Sequence, residues 1–475
     1  MPNPLAFLML ALWPLVTVAL FRRLAVDRAL ILSLLLGYLF LPEPPAVFDL
    51  PLMPPLTKHN IPALTAFVLV LFRGGSDGSF LPESGLGRVL LAVFVLSPAL
   101  TVVTNAEPVF FGRIGLPGLG IKDAVALTLQ QLLLVLPFLL ARRFLATGGA
   151  QREILRALVW GGLVYSVLML VEIRLSPQLN NWIYGYYQHF FGQSIRFGGY
   201  RPVVFLYHGL WVAFFLMTSA VAAWALWRRD PAASKLRALL AALYLTAVLV
   251  LAKSMGALVL GLLVIPAVLL LTRRMQIRLA LLIGLLALAY PLVKGAGLVP
   301  EQALLDRAAA IDQDRAYSLE FRFDNENTLL ERAYLKPVFG WGSWGRNQIL
   351  DPVTGFITTV SDGRWIIVIG VYGWVGFLAE FGLLLLPLIL LWREAKHAPP
   401  DAVSPLIAPL SLLLAVNVAD MIPNATLTPL TWMVAGALTG YAEALKAQRL
   451  GRRAPENPAL PAAAPRDKPR WQSIM

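Results

Sequence analysis

Arginine-bearing segments contain the strongest candidates for chemistry in this chain, and the first holds Arg196 and Arg201. These residues flank two glycines in RFGGYRP, before an apolar stretch that carries His208 about two turns inside. Guanidinium groups bind phosphate oxygens through paired hydrogen bonds, and nearby glycines let backbone N–H groups approach an anion. An ionisable residue inside a membrane span is a functional candidate. The segment predicts an anion site, although arginines that reach lipid headgroups and a packed histidine give the same pattern.

Two further groups of charged residues occur later in the chain. Lys253 ends an apolar stretch in LVLAKSMGALVLG, where it can bind an anion or extend its ammonium group to the membrane surface. Glu320 and Arg322 belong to the charged run EFRFDNE. On a helix, Arg322 and Glu326 would form a salt bridge one turn apart, and an exposed, salt-bridged helix face is the ordinary explanation for such a run.

Asp362 lies in SDGRW, directly before the apolar stretch that begins at Trp365. An aspartate in this position either caps a helix N-terminus or supplies a general base at the mouth of a cavity. The sequence has no G-K-[ST] phosphate loop, no H-E-x-x-H and no cysteine, so nothing in it indicates a nucleotide-driven motor or a structural zinc site. Asp312 and Asp314 form a D-x-D pair inside a solvated charged run, and we expect neither a metal nor another cofactor.

The composition places these groups in a membrane protein. Of 475 residues, 58% are hydrophobic and 14% charged, against about a quarter charged in soluble proteins, and the mean hydropathy is +0.69. We therefore predict an all-α polytopic membrane protein with about 11–13 transmembrane helices and one large, partly helical periplasmic loop. The candidate spans are 4–21, 29–41, 61–72, 89–105, 124–140, 154–171, 203–227, 238–252, 257–271, 279–293, 365–392, 405–418 and 427–445.

The distribution of positive charge sets the predicted orientation. The net charge of +13 comes largely from basic residues in short loops beside spans, which follows the positive-inside rule and requires no nucleic-acid partner. With those loops in the cytoplasm, the loops 43–60, 106–121, 174–201 and 294–364 lie outside. The outer side nevertheless holds cations, for which an anionic substrate is the simplest reason. They are Arg174, Arg196, Arg201, Lys253, Lys294, Arg307, Arg315, Arg322, Arg332, Lys336, Arg346 and Arg364.

These features divide the chain into five regions. Residues 1–153 form N-terminal spans, residues 154–293 form core spans with the arginine-bearing loop 174–201, residues 294–364 form the large outer loop, and residues 365–447 form the C-terminal spans. Within the large loop we predict helices over 300–310 and about 325–335. Residues 448–475 are basic and rich in Pro and Ala, which predicts a disordered cytoplasmic tail near anionic headgroups.

The order of these pieces resembles the bacterial O-antigen ligase and polymerase superfamily, in its exopolysaccharide-polymerase branch. The resemblance covers about residues 154–392 and rests on RFGGYRP with His208, LAKSMGALV, Arg322 followed by ERAYLKPVFGWG, and GVYGWVGFLAEFGLL. The first piece resembles the family's arginine-bearing loop and the second its small-residue turn. The third resembles the R…W…P-x-x-G-x-G signature of its large loop, and the last the glycine-bearing span that follows.

The resemblance implies a metal-independent, inverting glycosyltransferase of the bacterial inner membrane with its active site facing the periplasm. Its donor would be an undecaprenyl-diphosphate-linked oligosaccharide; a glycan acceptor, the lipid bilayer and other polysaccharide-assembly proteins would be its partners. Arg201 and Arg322, with Arg196 and Lys253, would hold the diphosphate and stabilise the charge of the leaving group. Three aromatic residues would bind sugar rings or else anchor the chain at the membrane interface; they are Tyr200, Trp341 and Trp344.

One departure from the ligases concerns the catalytic base that deprotonates the acceptor hydroxyl. Ligases carry a histidine near the end of the large loop, and residues 294–364 contain none. The base therefore stays open between Asp362, Glu320 and His208. We favour a polymerase of exopolysaccharide or O-antigen-type glycans over a ligase that transfers the glycan to lipid A-core or another acceptor. A transporter or flippase of lipid-linked sugars is the alternative from another class.

Overall fold

The computed structural model describes residues 1–72, 79–196, 198–231, 233–399 and 402–451. Within these ranges the protein consists of sixteen α-helices with two short antiparallel strand pairs, so the predicted all-α class is confirmed. The helices are α1 (Pro4–Arg23), α2 (Val26–Phe40), α3 (Ile61–Phe72), α4 (Gly85–Val103), α5 (Ile121–Phe144), α6 (Gly148–Leu175), α7 (Leu179–Tyr184), α8 (Gly209–Arg229), α9 (Lys235–Leu251), α10 (Met255–Leu270), α11 (Arg273–Gly295), α12 (Glu301–Ile311), α13 (Gln313–Tyr334), α14 (Arg364–His397), α15 (Ile407–Asp420) and α16 (Pro429–Arg449). The strands are β1 (Val109–Phe111) with β2 (Ile114–Leu116), and β3 (Ile195–Arg196) with β4 (Gly199–Tyr200).

Each of the thirteen predicted spans overlaps a helix, although α8 begins at Gly209, six residues after the predicted start of its span at residue 203. Among the described residues, seven helices are long and apolar enough to cross a membrane, namely α1, α4, α5, α6, α8, α11 and α14, and α3, α10 and α15 are apolar but shorter. The multi-pass membrane character is therefore confirmed. The helices α7, α12 and α13 lie in the polar segments between spans. Residues 452–475, most of the predicted tail, lie outside the described residues.

The large outer loop contains more helix than predicted. The predicted helix at 300–310 corresponds to α12, but α13 begins at Gln313 instead of near residue 325. Asp312 caps α13, because its side chain accepts a hydrogen bond from Asp314 N at 3.0 Å. The first half of α13 is mostly charged and polar, so apolar periodicity did not indicate a helix there.

Small residues allow close packing of α16 on α5. A Cβ at Gly436 or Gly440 would overlap the carbonyl oxygen of Phe138 or Arg142, respectively. Membrane helices that approach this closely gain dispersion contacts, which replace the hydrophobic driving force that lipid does not provide. The same two helices are joined by the buried pair of Arg142 and Glu443 at 2.7 Å.

The loops predicted on the outer side meet at one end of the bundle, called here the loop end. Lys58 Nζ donates to Phe205 O at 2.7 Å, which joins the loop after α2 to the loop before α8. Arg346 Nη1 donates to Pro117 O at 2.6 Å, which joins the large loop to the loop before α5. The short basic loops lie at the opposite end, called the basic end, where further ion pairs connect them.

The helix α14 is interrupted at Gly373, whereas the sequence predicted one continuous span. Gly373 has a φ of 67°, which glycine adopts readily and residues with a side chain rarely adopt. The polar segment before α14 fills the break: Gly370 O accepts a hydrogen bond from Trp341 N at 2.9 Å, and Trp374 N donates to Pro337 O at 2.8 Å. Backbone groups freed by a break in a membrane helix need such partners.

The two parts of α14 fold back on each other at this break. Arg364 Nε and Nη2 donate to the two carboxylate oxygens of Glu380 at 2.7 and 2.6 Å. In a straight helix, residues this far apart in sequence would be separated by about 24 Å, beyond the combined reach of both side chains. The bend at Gly373 therefore brings the first turn of α14 beside its middle, where the Glu380 carboxylate is fully buried.

Candidate functional site

A cleft of about 1110 Å³ opens at the loop end of the bundle. Its walls combine the loops that precede α8, α10, α14 and α16, the first residues of α8 and α10, and the first half of α13. The lining residues are His189, Gln193, Ile195, Arg196, Arg201, Tyr207, His208, Leu210, Trp211, Lys253, Met255, Asp312, Asp314, Ser318, Phe321, Arg322, Val360, Ser361, Asp362, Asn424 and Ala425.

Six of the ten predicted site residues line this cleft. They are Arg196, Arg201, His208, Lys253, Arg322 and Asp362. They come from the loop before α8, the turn before α10, helix α13 and the loop before α14, so the tertiary fold brings them together. The cleft therefore contains four of the predicted phosphate-binding cations and one of the candidate carboxylates.

Arg201 follows the β3–β4 hairpin, where its backbone N–H donates to Ser194 O at 2.7 Å. Its side chain is 8% exposed and packs over Gly209, where a Cβ would overlap it. Arg201 Nη2 donates to Lys253 O at 3.4 Å, whereas Nε has no hydrogen-bond partner among the described residues. Because a buried N–H without a partner is costly, an oxygen of an anionic ligand suits this position.

Neighbouring positive charges act on Arg201 as well. Burial, together with the smaller effect of the charges on Arg196 and Arg322, lowers the pKa of Arg201 to about 10. The guanidinium group is therefore still protonated at neutral pH, although its charge is desolvated and repelled. An anion bound in the cleft would offset both effects.

Lys253 occupies the tight turn between α9 and α10 with a φ of 52°. Its Nζ donates to Arg196 O at 3.4 Å, and the ammonium group lies against Gly199, where a Cβ would overlap it. The side chain therefore reaches the β3–β4 hairpin at the cleft wall, which distinguishes it from a lysine that extends toward lipid headgroups.

Arg322 extends from α13 to Asp362, with Nε and Oδ2 3.3 Å apart. The two side chains are 36% and 38% exposed, so this pair lies in the open part of the cleft. The predicted bridge between Arg322 and Glu326 is wrong, because Glu326 lies beside Lys294 at 3.6 Å instead. The helix-cap interpretation of Asp362 is also wrong, since Gly363 occupies the N-cap position of α14.

His208 is the N-cap residue of α8, so the prediction that it lies two turns inside a span is wrong. Its Nδ1 accepts a hydrogen bond from Leu210 N at 3.0 Å, which leaves the proton on Nε2 to bond Gln193 Oε1 at 2.9 Å. Burial, followed by the neighbouring His189 and the cleft arginines, lowers the pKa of His208 to about 3. With both ring nitrogens engaged, His208 is not available as a base in this arrangement.

The apolar run before α8 explains the error at His208. Its residues have the composition of a membrane span but form a buried, irregular segment. Glu172 accepts hydrogen bonds from Val203 N and Val204 N, each at 2.8 Å, and Tyr165 Oη accepts one from Phe205 N at 3.0 Å. Buried backbone requires hydrogen-bond partners, and side chains from α6 supply them here instead of a helical turn.

Four predicted site residues lie away from the lining of the cleft. Glu320 is exposed on α13. Trp341 is buried, where its Nε1 donates to Arg332 O at 2.8 Å and the Arg332 guanidinium lies 4.0 Å from the ring centre. Trp344 is exposed elsewhere on the loop, and Tyr200 is partly buried on β4. None of the three predicted sugar-binding aromatic residues is among the residues that line the cleft.

Several outer cations that suggested an anionic substrate make contacts within the protein instead. Arg346, for example, is buried and donates to Pro117 O at 2.6 Å and to Glu107 O at 3.0 Å. Others with internal partners are Lys294, Arg332, Lys336 and Arg364. The argument for an anionic ligand therefore applies to the four cations that line the cleft.

Several residues of the cleft carried no recognisable sequence signal. Asn424, between α15 and α16, donates from Nδ2 to Asp420 Oδ1 at 2.9 Å, and its carbonyl oxygen accepts from Arg364 N at 3.2 Å. The ring centre of His189 lies 4.6 Å from that of His208. A lone asparagine in a short loop and a lone histidine in an aromatic-rich loop match no motif, so sequence reasoning missed both.

The fold and the cleft define an all-α, multi-pass membrane protein with four clustered cations at one end of its helical bundle. No family model matches the chain, and no curated protein matches it. The resemblance to the O-antigen ligase and polymerase superfamily stays a prediction that rests on the quoted motifs.

Proposed function

We propose that the protein is a membrane glycosyltransferase that polymerises undecaprenyl-diphosphate-linked oligosaccharide units into an exopolysaccharide or O-antigen-type glycan. The observation that carries the proposal is the buried Arg201 guanidinium, whose Nε lacks a partner among the described residues, in a cleft shared with Arg196, Lys253 and Arg322. A diphosphate offers several charged oxygens, which guanidinium groups bind strongly. The motif resemblance supports the choice of a lipid-linked glycan.

Apolar side chains at the edge of the cleft suit a lipid carrier. Leu210 and Trp211 lie in the first turn of α8, and Met255, which begins α10, is exposed. A polyprenyl chain is stabilised by apolar surface, whereas its diphosphate requires cations. A cleft that offers both at the ends of membrane helices fits a lipid-linked donor better than a water-soluble sugar nucleotide.

In the proposed reaction the diphosphate lies against Arg201, Arg196 and Lys253. The acceptor hydroxyl attacks the anomeric carbon of the donor from the face opposite the diphosphate, and the bond between that carbon and the phosphate oxygen breaks. The electron pair of the broken bond passes to the diphosphate, where the cations stabilise the developing charge. The hydroxyl proton passes to a carboxylate, and the configuration at the anomeric carbon inverts.

Asp362 is the base that the arrangement favours. Glu320 lies outside the cleft lining, and both ring nitrogens of His208 are engaged in hydrogen bonds. The Asp362 carboxylate lines the cleft and is held by Arg322 at 3.3 Å. Because a guanidinium group has five N–H donors, Arg322 can hold this carboxylate and contact the diphosphate together.

We further propose that the cleft faces the periplasm from the bacterial inner membrane. The short loops at the opposite end of the bundle are rich in arginine, for example around Arg142, Arg152 and Arg273. Such loops stay in the cytoplasm under the positive-inside rule. The glycan acceptor and other polysaccharide-assembly proteins would then meet the protein on the cleft side.

Two alternatives differ in what happens to the lipid-linked glycan. A ligase would use the same donor chemistry with lipid A-core or another acceptor. A flippase is suggested by the broken helix α14 and its buried Glu380, since transporters use broken helices and intramembrane charges. Here the preceding loop fills the break and Arg364 pairs with Glu380, so neither feature offers a substrate site. These contacts favour an enzyme.

Complementation of a strain that lacks the gene tests the proposal. The test variants are Arg201→Ala, Arg322→Ala and Asp362→Asn. The matched controls are Arg307→Ala and Glu320→Gln. Both residues are exposed in the large outer loop that also carries Arg322 and Asp362, and neither lines the cleft. Membrane levels of each protein are compared by immunoblot, and lipid-linked oligosaccharides and polymer are extracted and sized.

We expect Arg201→Ala and Arg322→Ala to accumulate single repeat units on the lipid carrier without polymer, and both controls to restore polymer. Loss of polymer in Asp362→Asn would support the carboxylate as base. Long chains that remain on the carrier would identify a ligase, and single units confined to the cytoplasmic leaflet would identify a flippase. Normal polymer from Arg201→Ala would refute the role of the cleft.

A further inference from the structure

A second cavity, of about 490 Å³, lies between α2 and α6 and extends to the basic end of the bundle. We propose that this groove binds one membrane phospholipid with an anionic headgroup, from the leaflet at the basic end. The groove shares no lining residue with the cleft, and the inference does not depend on the proposed function.

The walls of the groove are apolar over the length of an acyl chain. Leu35 on α2 and Ala157 and Gly161 on α6 contribute to them. Between Arg28 and Phe40, which both line the groove, α2 rises by about 18 Å. One leaflet contributes about 15 Å of hydrocarbon, so a lipid chain can lie along the groove while its headgroup reaches the membrane surface.

A cluster of charges closes the groove at the basic end. Glu153 pairs with Arg28 at 3.1 Å and with Arg156 at 3.5 Å. Asp230 pairs with Arg152 at 3.0 Å and with Arg156 at 3.7 Å. Three arginines thus share two carboxylates, which leaves one positive charge in excess. The Arg28 side chain is 56% exposed, so its charge is accessible from the membrane surface.

A phosphodiester is the anion that suits this cluster. Each guanidinium group has five N–H donors, and Glu153 occupies only some of those on Arg28 and Arg156. Trp160, one turn beyond Arg156, lines the groove and is 68% exposed, so a lipid chain in the groove would contact its ring. A phosphatidylglycerol headgroup keeps its negative charge for the arginines, whereas the choline of a zwitterionic lipid adds a cation beside them.

Fluorescence from Trp160 provides a direct measurement of lipid in the groove. The full-length protein is placed in phosphatidylcholine nanodiscs that contain a small fraction of brominated phosphatidylglycerol or of brominated phosphatidylcholine with the same chains. Bromine quenches tryptophan on contact, and subtraction of the Trp160→Phe signal isolates the groove. The attraction of one arginine for an anionic headgroup predicts about a fivefold preference for phosphatidylglycerol.

Charge variants test whether the cluster causes this preference. Joint replacement Arg28→Ala and Arg156→Ala should abolish it. Arg23→Ala is the matched control, because Arg23 is exposed at the same end and does not line the groove. Glu153→Gln should raise the preference above that of the wild type, because it removes a carboxylate that competes with the phosphate. A damaged fold would not produce this gain.

Four results would overturn the inference. Equal Trp160 quenching by the two brominated lipids would show that the headgroup is not recognised, and absence of quenching by either would show that no lipid enters. A loss in Arg23→Ala as large as in the double variant would assign the effect to general surface charge. A preference that stays constant or falls in Glu153→Gln would contradict phosphate binding at the two arginines.

Discussion

The ion pair that closes the bend in α14 gives the strongest stability prediction. Glu380 is 0% exposed, and its carboxylate accepts two hydrogen bonds from Arg364, at 2.7 and 2.6 Å. Removal of one partner from a buried ion pair costs about 3–5 kcal/mol, because the other charge stays desolvated. The Arg364 side chain is 20% exposed and glutamine keeps one acceptor oxygen, so we expect Glu380→Gln to lower the free energy of unfolding by about 3 kcal/mol.

Reversible unfolding of the purified protein in mixed micelles, followed by circular dichroism, measures this change. A double-mutant cycle with Arg364→Gln then isolates the interaction, and we expect a coupling free energy of about 2–3 kcal/mol. The apolar pair Arg364→Met with Glu380→Leu should recover part of the lost stability, because neither residue then leaves a buried charge without a partner.

Glu153→Gln is the matched control for this prediction. Its pair with Arg28 is also an arginine–glutamate pair, but the side chains are 21% and 56% exposed, so its loss should cost less than about 1 kcal/mol. If Glu380→Gln destabilises the protein no more than Glu153→Gln does, the folded-back arrangement of α14 and the argument from burial are both wrong.

Three further predictions concern the bend and the cleft. Gly373→Ala should cost about 2–4 kcal/mol in unfolding free energy, because its Cβ would overlap Val338 O at a positive φ. The control Gly120→Ala should cost less than about 1 kcal/mol, because the space around Gly120 is open and only its N-cap position favours glycine. Asp362→Asn should change stability by less than about 1 kcal/mol while polymer formation is lost, since its ion pair is partly exposed; a large destabilisation would make the residue structural. Burial lowers the pKa of His208 to about 3, so between about pH 6.5 and pH 3 the unfolded chain protonates this imidazole while the folded protein keeps it neutral. The contribution of neutral His208 to folding stability is therefore complete above about pH 6.5 and is lost as the pH falls toward 3. His208→Gln should therefore reduce the fall in stability between about pH 7 and pH 5, by up to about 2 kcal/mol, in the same unfolding assay; an unchanged fall would refute this.

The membrane helices could be predicted from the sequence because apolar length is a local property. The bend in α14 could not. Gly373 lies between Gly370 and Gly376 in one apolar run, and only Gly373 has a positive φ among the three. What separates it from them is the segment around Pro337, which supplies the hydrogen bonds for the broken backbone. This segment lies more than thirty residues earlier in the chain and contacts the backbone around Gly373 only in the folded protein.

Charged residues of the cleft could be predicted individually, but their partners could not. Helix spacing predicts that Arg322 pairs with Glu326 one turn away, yet its partner in the structure is Asp362, forty positions along the chain. The apolar run before His208 predicts a helix that includes this residue. The run is irregular instead, because Glu172 on α6 accepts the hydrogen bonds of its backbone, and a contact with another helix cannot be recognised in the local sequence. In each case a tertiary contact replaced the local interaction that the sequence pattern favours.

The bend in α14 and the cleft are parts of one arrangement. Arg364, the first residue of α14, bonds through its side chain to Glu380 and through its N–H to the carbonyl oxygens of Met421 and Asn424, at 2.9 and 3.2 Å. Asn424 and Asp362, two residues before Arg364, both line the cleft. The fold-back at the bend therefore fixes the backbone that carries the proposed base, and a catalytic group must be held this rigidly to contribute to rate. It follows that variants at Glu380, although distant from any substrate, should lower activity together with stability, whereas Asp362→Asn should lower activity alone.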